Sequence, residues 1–314
     1  MAAIELRGVT KEFGDVTAVD DLDLTVPEGE VFGFLGPNGA GKSTTINLLL
    51  DFVRPTAGSV TVLGHDAQEA SVAVRQRTGV LPEGFDVYDR LTGRRHVAFA
   101  MDSKDVDGDP DAVLERVGLG DAADRKAGGY SKGMRQRLAL GMALVGQPEL
   151  LVLDEPSSGL DPGGAREMRE IVRQEADRGA TVFFSSHVLG QVEAVCDRVG
   201  IMRDGRMIAQ DSIEGLRDAA GHGERLVVTL GGGGDVSLDD VRALDGVSDA
   251  TLEDGVVTVA CDPDQKSAVI GAIEAAGGVV DDFTTEAASL EDVFLAYTEG
   301  TAADGPEADE EVAT

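Results

Sequence analysis

GPNGAGKST, residues 36–44, fills the pattern G-x-x-x-x-G-K-[ST] with Gly36, Gly41, Lys42 and Ser43. The spacing has a chemical reason. Glycines let the backbone curl so that successive N–H groups point at phosphate oxygens, and the helix that follows adds the positive end of its dipole. Lys42 is then placed to reach the β- and γ-phosphates, and the Ser43 hydroxyl to ligate Mg²⁺. The flanks agree: VFGFL (31–35) is an apolar, strand-like run, and TTINLLLDF (44–52) reads as a helix. The stretch predicts a nucleoside-triphosphate site in an α/β fold, with Gly36, Asn38, Gly39, Gly41, Lys42, Ser43 and Thr44 as nucleotide contacts.

About 110 residues further on, LLVLDEP (150–156) reads as a buried strand ending in two carboxylates. A parallel sheet brings its strand ends and a phosphate loop to one edge. Asp154 is placed there to hold Mg²⁺, and Glu155 to polarise a water for attack on the γ-phosphate. Alone, an apolar strand ending in Asp-Glu says little. Behind a phosphate loop it defines a hydrolytic site.

Between the two lies YSKGMRQRLALGMALVGQPEL (130–150). Here the chain resembles the ATP-binding subunit of ATP-binding-cassette (ABC) transporters, with Tyr130-Ser131-Lys132-Gly133-Met134 where that family carries its LSGGQ signature. Ser131 stands at a plausible N-cap of a long amphipathic helix, so its hydroxyl, the Gly133 amide and the helix dipole can all face a phosphate. A plain capped helix would read the same way. Tyr130, Lys132 and Met134 depart from the family pattern, whereas Ser131 and Gly133 keep the hydroxyl and the small backbone site.

The resemblance extends to the remaining landmarks. SSGLDP (157–162) is similar to the D-loop, which implies that Asp161 contacts an opposite subunit. His187, after TVFFSS (181–186), is similar to the switch histidine that contacts the γ-phosphate. Phe13 matches the aromatic that stacks on adenine; alone it would read as a core aromatic. In GVLPEGFDVYDRLT (79–92), Glu83 takes the place of the Q-loop glutamine. A carboxylate still suits the hard cation, but it only accepts hydrogen bonds. The implied metal set is Ser43, Glu83 and Asp154.

The pattern implies a P-loop NTPase cassette over residues 1–220. It has a β-rich part that contacts the nucleotide and a helical signature subdomain at about 84–142. Residues 221–298 alternate as a small α+β domain of β-α-β-β-α-β order with a final helix, in which GGGG (231–234) is a flexible loop. Residues 299–314 are acidic and short of core formers, the composition of a disordered tail.

Composition adds a separate expectation. The formal charge is −31, with 58 acidic residues against 27 basic ones. Only Lys11, Lys42, Lys104, Lys126, Lys132 and Lys266 are lysines. Dispersed carboxylates suggest a surface kept soluble in concentrated salt, where self-repulsion is screened within about 3 Å at 1 M. The same charge argues against nucleic-acid binding, which needs a basic stripe. Cys196 and Cys261 lack the spacing of a disulfide framework or metal site. Neither a signal peptide nor an apolar run of about 20 residues is visible.

Together the resemblance implies a cytoplasmic ATPase that uses ATP and Mg²⁺, peripheral on the inner face of the membrane and of the drug, antibiotic or sodium exporter type. It would work as a homodimer with a separate permease. Two other classes compete: a soluble cassette acting in DNA repair or on the ribosome, and a nucleotide-gated switch with little hydrolysis. The first usually carries coiled coils or two cassettes, and an intact Glu155 is awkward for the second.

Overall fold

In the computed structural model, which describes residues 1–219, 224–231, 236–262, 264–287 and 289–299, VFGFL is a strand buried along its whole length. This strand, β3 (Val31–Leu35), follows two longer ones, β1 (Ala2–Phe13) and β2 (Val16–Pro27). The alternation in the first 30 residues suggests short strands. Instead β1 and β2 form one antiparallel hairpin of twelve-residue strands whose register shifts several times. Bulges of this kind let long strands bend around a core. With β4 (Ala57–Val62) and β5 (His65–Asp66) they make a sheet of order β2-β1-β4-β5.

The second sheet has the order β10-β9-β3-β8-β7-β6. Its members are β6 (Thr78–Leu81), β7 (Leu150–Asp154), β8 (Thr181–Ser185), β9 (Arg198–Arg203) and β10 (Arg206–Ser212). β9, β3, β8, β7 and β6 pair in parallel. Strands covered on both faces need unbroken apolar runs, and every residue of LLVLD and TVFFS is buried. Phe183 fills the centre, its ring 5.9 Å from that of Phe32 and 5.0 Å from that of Phe34. At the sheet's other end Gly79 lets the backbone come close, since a Cβ there would lie 2.1 Å from the Ala143 carbonyl oxygen.

The helices of this part are α1 (Lys42–Leu49), α2 (Ser71–Arg77), α3 (Gly93–Lys104), α4 (Pro110–Arg116), α5 (Lys132–Leu144), α6 (Pro162–Asp177) and α7 (Leu189–Glu193), of which α2, α5 and α6 pack against this sheet. α3, α4 and α5 make up the helical subdomain. The 81–92 segment is tied to it by His96, whose Nε2 accepts from the Tyr88 N–H at 3.0 Å while Nδ1 meets the Thr92 carbonyl at 2.8 Å. Glu175 is buried on α6, where Arg116 of α4 and Arg178 pair with it at 2.5 and 2.6 Å. A buried carboxylate persists when paired in this way.

The chain divides into two compact units, Met1–Gln210 and Asp211–Thr314. The second begins with α8 (Ile213–Ala219). It continues through β11 (Glu224–Leu230), α9 (Asp239–Arg242), β12 (Val247–Glu253), β13 (Val256–Cys261), α10 (Lys266–Ala275), β14 (Val280–Ala287) and α11 (Leu290–Glu299). Its sheet, β12-β13-β11-β14, is antiparallel and has its own core around Leu226, Val228, Val257, Val259 and Ile273. The β-α-β-β-α-β alternation with a final helix is thus the observed order. Of the glycine run only Gly231 is described, and the acidic tail from 300 onward lies outside the described residues.

Candidate functional site

Register brings the site together. Phe34 of β3 pairs with Ser185 of β8, which pairs with Asp154 of β7, and Leu81 of β6 pairs with Leu153. The carboxyl ends of four strands therefore lie along one edge. Gly36, Glu83, Glu155 and His187 follow immediately.

Within the 36–41 loop, Gly41 has φ of 106°, a left-handed conformation that favours glycine, and ends the loop at the start of α1. A Cβ on Gly41 would sit 2.4 Å from the Ala18 carbonyl oxygen, and one on Gly36 would sit 2.4 Å from that of Met202. Neither position admits a side chain. Asn38, Gly39 and Ser43 are exposed and Thr44 is half-buried. The next residue, Thr45, faces the core and donates its hydroxyl to the Gly41 carbonyl at 3.1 Å. The Lys42 ammonium donates to the carbonyls of Gly36 at 2.6 Å and Pro37 at 3.1 Å. Burial pulls its pKa below the usual lysine range, against the opposing pull of Glu155, Asp154 and Glu83. Three carboxylates from two strand ends thus act on one lysine.

Asp154 is buried, and this lifts its pKa; like charge from Glu83 and Glu155 adds to the rise, and Ser185 and Lys42 oppose it. Glu155 is also buried and has φ of 48°, a conformation rare outside glycine and costly to hold. Its N–H donates to the Ser185 carbonyl at 2.9 Å. Oε1 accepts the His187 N–H at 2.9 Å and lies 2.8 Å from His187 Nδ1. The His187 ring is otherwise exposed. Glu155 and His187 therefore meet directly, a contact their separation in sequence does not reveal.

The signature residues lie elsewhere in the web of contacts. Ser131 caps α5 by accepting the Met134 N–H at 3.2 Å. Gly133 lies against its own chain, since a Cβ there would be 3.2 Å from the Gly159 carbonyl oxygen. Asp161 caps α6 by accepting the Gly164 N–H at 3.1 Å. Phe13, at the tip of the β1–β2 hairpin, is 49% exposed, with the Lys11 ammonium 4.7 Å over its ring. That exposure sets aside a core role and leaves an open aromatic face.

Gln136 was not legible as a functional residue. It sits one turn beyond Lys132 on α5, and its amide donates to the carbonyls of Glu155 at 3.2 Å and Pro156 at 3.0 Å. Lys132 meanwhile donates to the Ser158 hydroxyl at 3.1 Å. A polar pair at i and i+4 marks one helix face, and here that face points at residues 155–158. A cleft of about 410 Å³ opens beside it, bordered by Glu83, Phe85, Tyr130, Arg135 and Glu155.

The donor set suits a nucleoside triphosphate with Mg²⁺. The loop offers backbone N–H groups and a lysine whose hydrogen bonds, among the described residues, go to carbonyls, and the oxygens of Ser43, Asp154 and Glu83 are hard donors. Among the described residues no three His, Cys, Asp or Glu side chains close into a metal cage. Mg²⁺ does not require one, because it binds through one or two carboxylates together with phosphate oxygens and waters. Among the same residues no helix is long and apolar enough to cross a membrane.

The family model for ABC transporters matches residues 19–158. The daunorubicin resistance ATP-binding protein DrrA3 of Streptomyces coeruleorubidus is 35% identical, over 94% of this chain and 96% of its own length. A fluoroquinolones export ATP-binding protein of Mycobacterium tuberculosis is 39% identical, over 78% of this chain and 82% of its own. Among solved structures, an ATP-binding subunit of an ABC transporter superposes with a TM-score of 0.65 at 26% identity, over 69% of this chain and 92% of that one. The ADP conformation of the cassette MJ1267 gives 0.59, also at 26% identity, over 68% and 91%.

Proposed function

The chain belongs to the ABC transporter family as an ATP-binding subunit, and on that premise we propose how its residues divide the work. The subunit binds and hydrolyses ATP and couples that cycle to a membrane permease. In our reading the 36–44 loop cradles the phosphates, Lys42 bridges the β- and γ-phosphates, and Phe13 stacks on adenine. Ser43, Asp154 and Glu83 hold Mg²⁺, which when bound neutralises charge on the phosphate oxygens. Glu155 accepts a hydrogen bond from the attacking water and orients it toward the γ-phosphate. His187, in contact with Glu155, faces the same phosphate.

A second copy completes each site with Ser131 and Gly133, and Asp161 lies at the contact between copies. What supports this is that these residues cap and pack within their own chain and make no contact with their own phosphate loop among the hydrogen bonds described. The assembly is a homodimer under a separate permease, at the inner face of the membrane. One relative is named for daunorubicin resistance and another for fluoroquinolones export, and we assign this chain to export, with the permease choosing the substrate. The carboxylate surface suits a salt-rich interior.

The observation that carries the reading is Glu155: a buried carboxylate at the edge of a parallel sheet, acting on Lys42 and touching His187. The test is Glu155→Gln, which keeps the shape and removes the charge. ATP should still draw two chains into a dimer stable to size-exclusion chromatography, while turnover falls by about 10²–10⁴. Near-normal hydrolysis would transfer the role to another group, His187 first.

A further inference from the structure

We propose that Gln136 is a positioning residue for hydrolysis, holding the backbone of Glu155 so that its carboxylate meets the attacking water. The inference rests on the role given to Glu155 above. Glu155 has a left-handed backbone, and such strain persists only where the surroundings over-determine it. Three supports are visible. On one side the Glu155 N–H is tied to the Ser185 carbonyl at the end of β8. On the other, the Ser158 N–H donates to the Glu155 carbonyl at 3.0 Å, and the Gln136 amide donates to that carbonyl and to the next one, of Pro156. Together they fix the peptides before and after Glu155, and with them the direction of its Cα–Cβ bond.

Glutamine suits this task because its side-chain NH₂ carries two donors and no charge. Lys132, on the same face of α5, holds the Ser158 hydroxyl and reinforces the same segment. Removing the amide leaves the Glu155 carboxylate in place chemically but leaves its carbonyl to the Ser158 N–H alone and the Pro156 carbonyl without this donor, which loosens the peptide toward an ordinary φ. A displacement of about 1 Å from a change remote from the chemistry costs on the order of 10² in rate.

The test compares Gln136→Met, Glu155→Gln and the double variant in the full chain, measuring steady-state ATPase, equilibrium affinity for ATP and thermal melting. Methionine keeps the length and loses both donors. Gln136→Met should lower kcat by about 10–10² fold, with ATP affinity and KM within about twofold of wild type. In the double variant the rate should fall no further than in Glu155→Gln alone. Gln136→Lys, which can donate to the same carbonyls, should recover part of kcat. A wild-type kcat in Gln136→Met would overturn the proposal. So would a loss that multiplies fully with that of Glu155→Gln, or one matched by a loss of ATP affinity and melting temperature. If Glu155→Gln alone hydrolyses normally, the underlying reading of Glu155 fails instead, whatever Gln136 does.

Discussion

The phosphate loop and the signature turn both lead into a helix, yet they treat its N-terminus in opposite ways. Before α1 stands Gly41, which has no side chain to cap with, so the first N–H groups of the helix are left to whatever binds there. Before α5 stands Ser131, whose hydroxyl already accepts the Met134 N–H, and before α6 Asp161 does the same for Gly164. One turn is built to be completed by a ligand. The others are partly satisfied from within, and at α5 the spare hydroxyl proton of Ser131 and the amide of Gly133 are what is left to offer. In the proposed dimer this is the difference between two halves of one site: one half would wait for phosphate, and the other would stay folded until a partner arrives.

The sharpest way to break this contrast is at Lys42. Lys42→Ala removes the only side-chain cation in the loop and should lower ATP affinity by about 10–10²-fold, the worth of a charged hydrogen bond in a partly buried site. Equilibrium nucleotide binding at fixed salt reads this out. Wild-type affinity would mean that the loop is not the phosphate site.

A smaller effect distinguishes a region held ready for a cation from one at rest. Burial raises the Asp154 pKa, so its charged form costs the free protein stability. For a raised carboxylate pKa, the stabilising contribution is present below the unfolded range and lost as pH rises through the folded value. Asp154→Asn should therefore melt a few degrees higher than wild type at neutral pH, with the gap closing in acid, while Mg²⁺-dependent ATPase is lost. A lower melting temperature at neutral pH would show that the carboxylate is well satisfied without a metal.

The smallest effect belongs to the surface that carries both regions. Melting temperature should rise with added potassium chloride, because the Debye length falls from ~30 Å at 0.01 M to ~3 Å at 1 M. A flat or falling series removes the salt-adapted surface and leaves the site untouched.

The phosphate loop and the 150–156 strand were legible because their chemistry is local: a glycine pattern between strand and helix, and carboxylates at the end of an apolar run. The fold of the second unit was legible for the same reason, through alternation and turn residues. Gln136 and the Glu155–His187 contact were not, because both depend on which strand ends and helix face the fold brings together. Ser131 shows a third situation. An N-cap and a phosphate ligand demand the same residue at the same place, so the pattern alone does not separate them.

The most direct test is therefore to divide the site between two chains. Mix a Ser131→Arg chain with a Lys42→Ala chain, each inactive as a homodimer, and measure ATPase once heterodimers are shown to form. If Ser131 serves the phosphate loop of the other copy, one of the two sites in the mixed dimer is intact, and each heterodimer should regain up to about half the wild-type rate, less any cooperativity between sites. Heterodimers that form and remain inactive would contradict a signature acting across the interface.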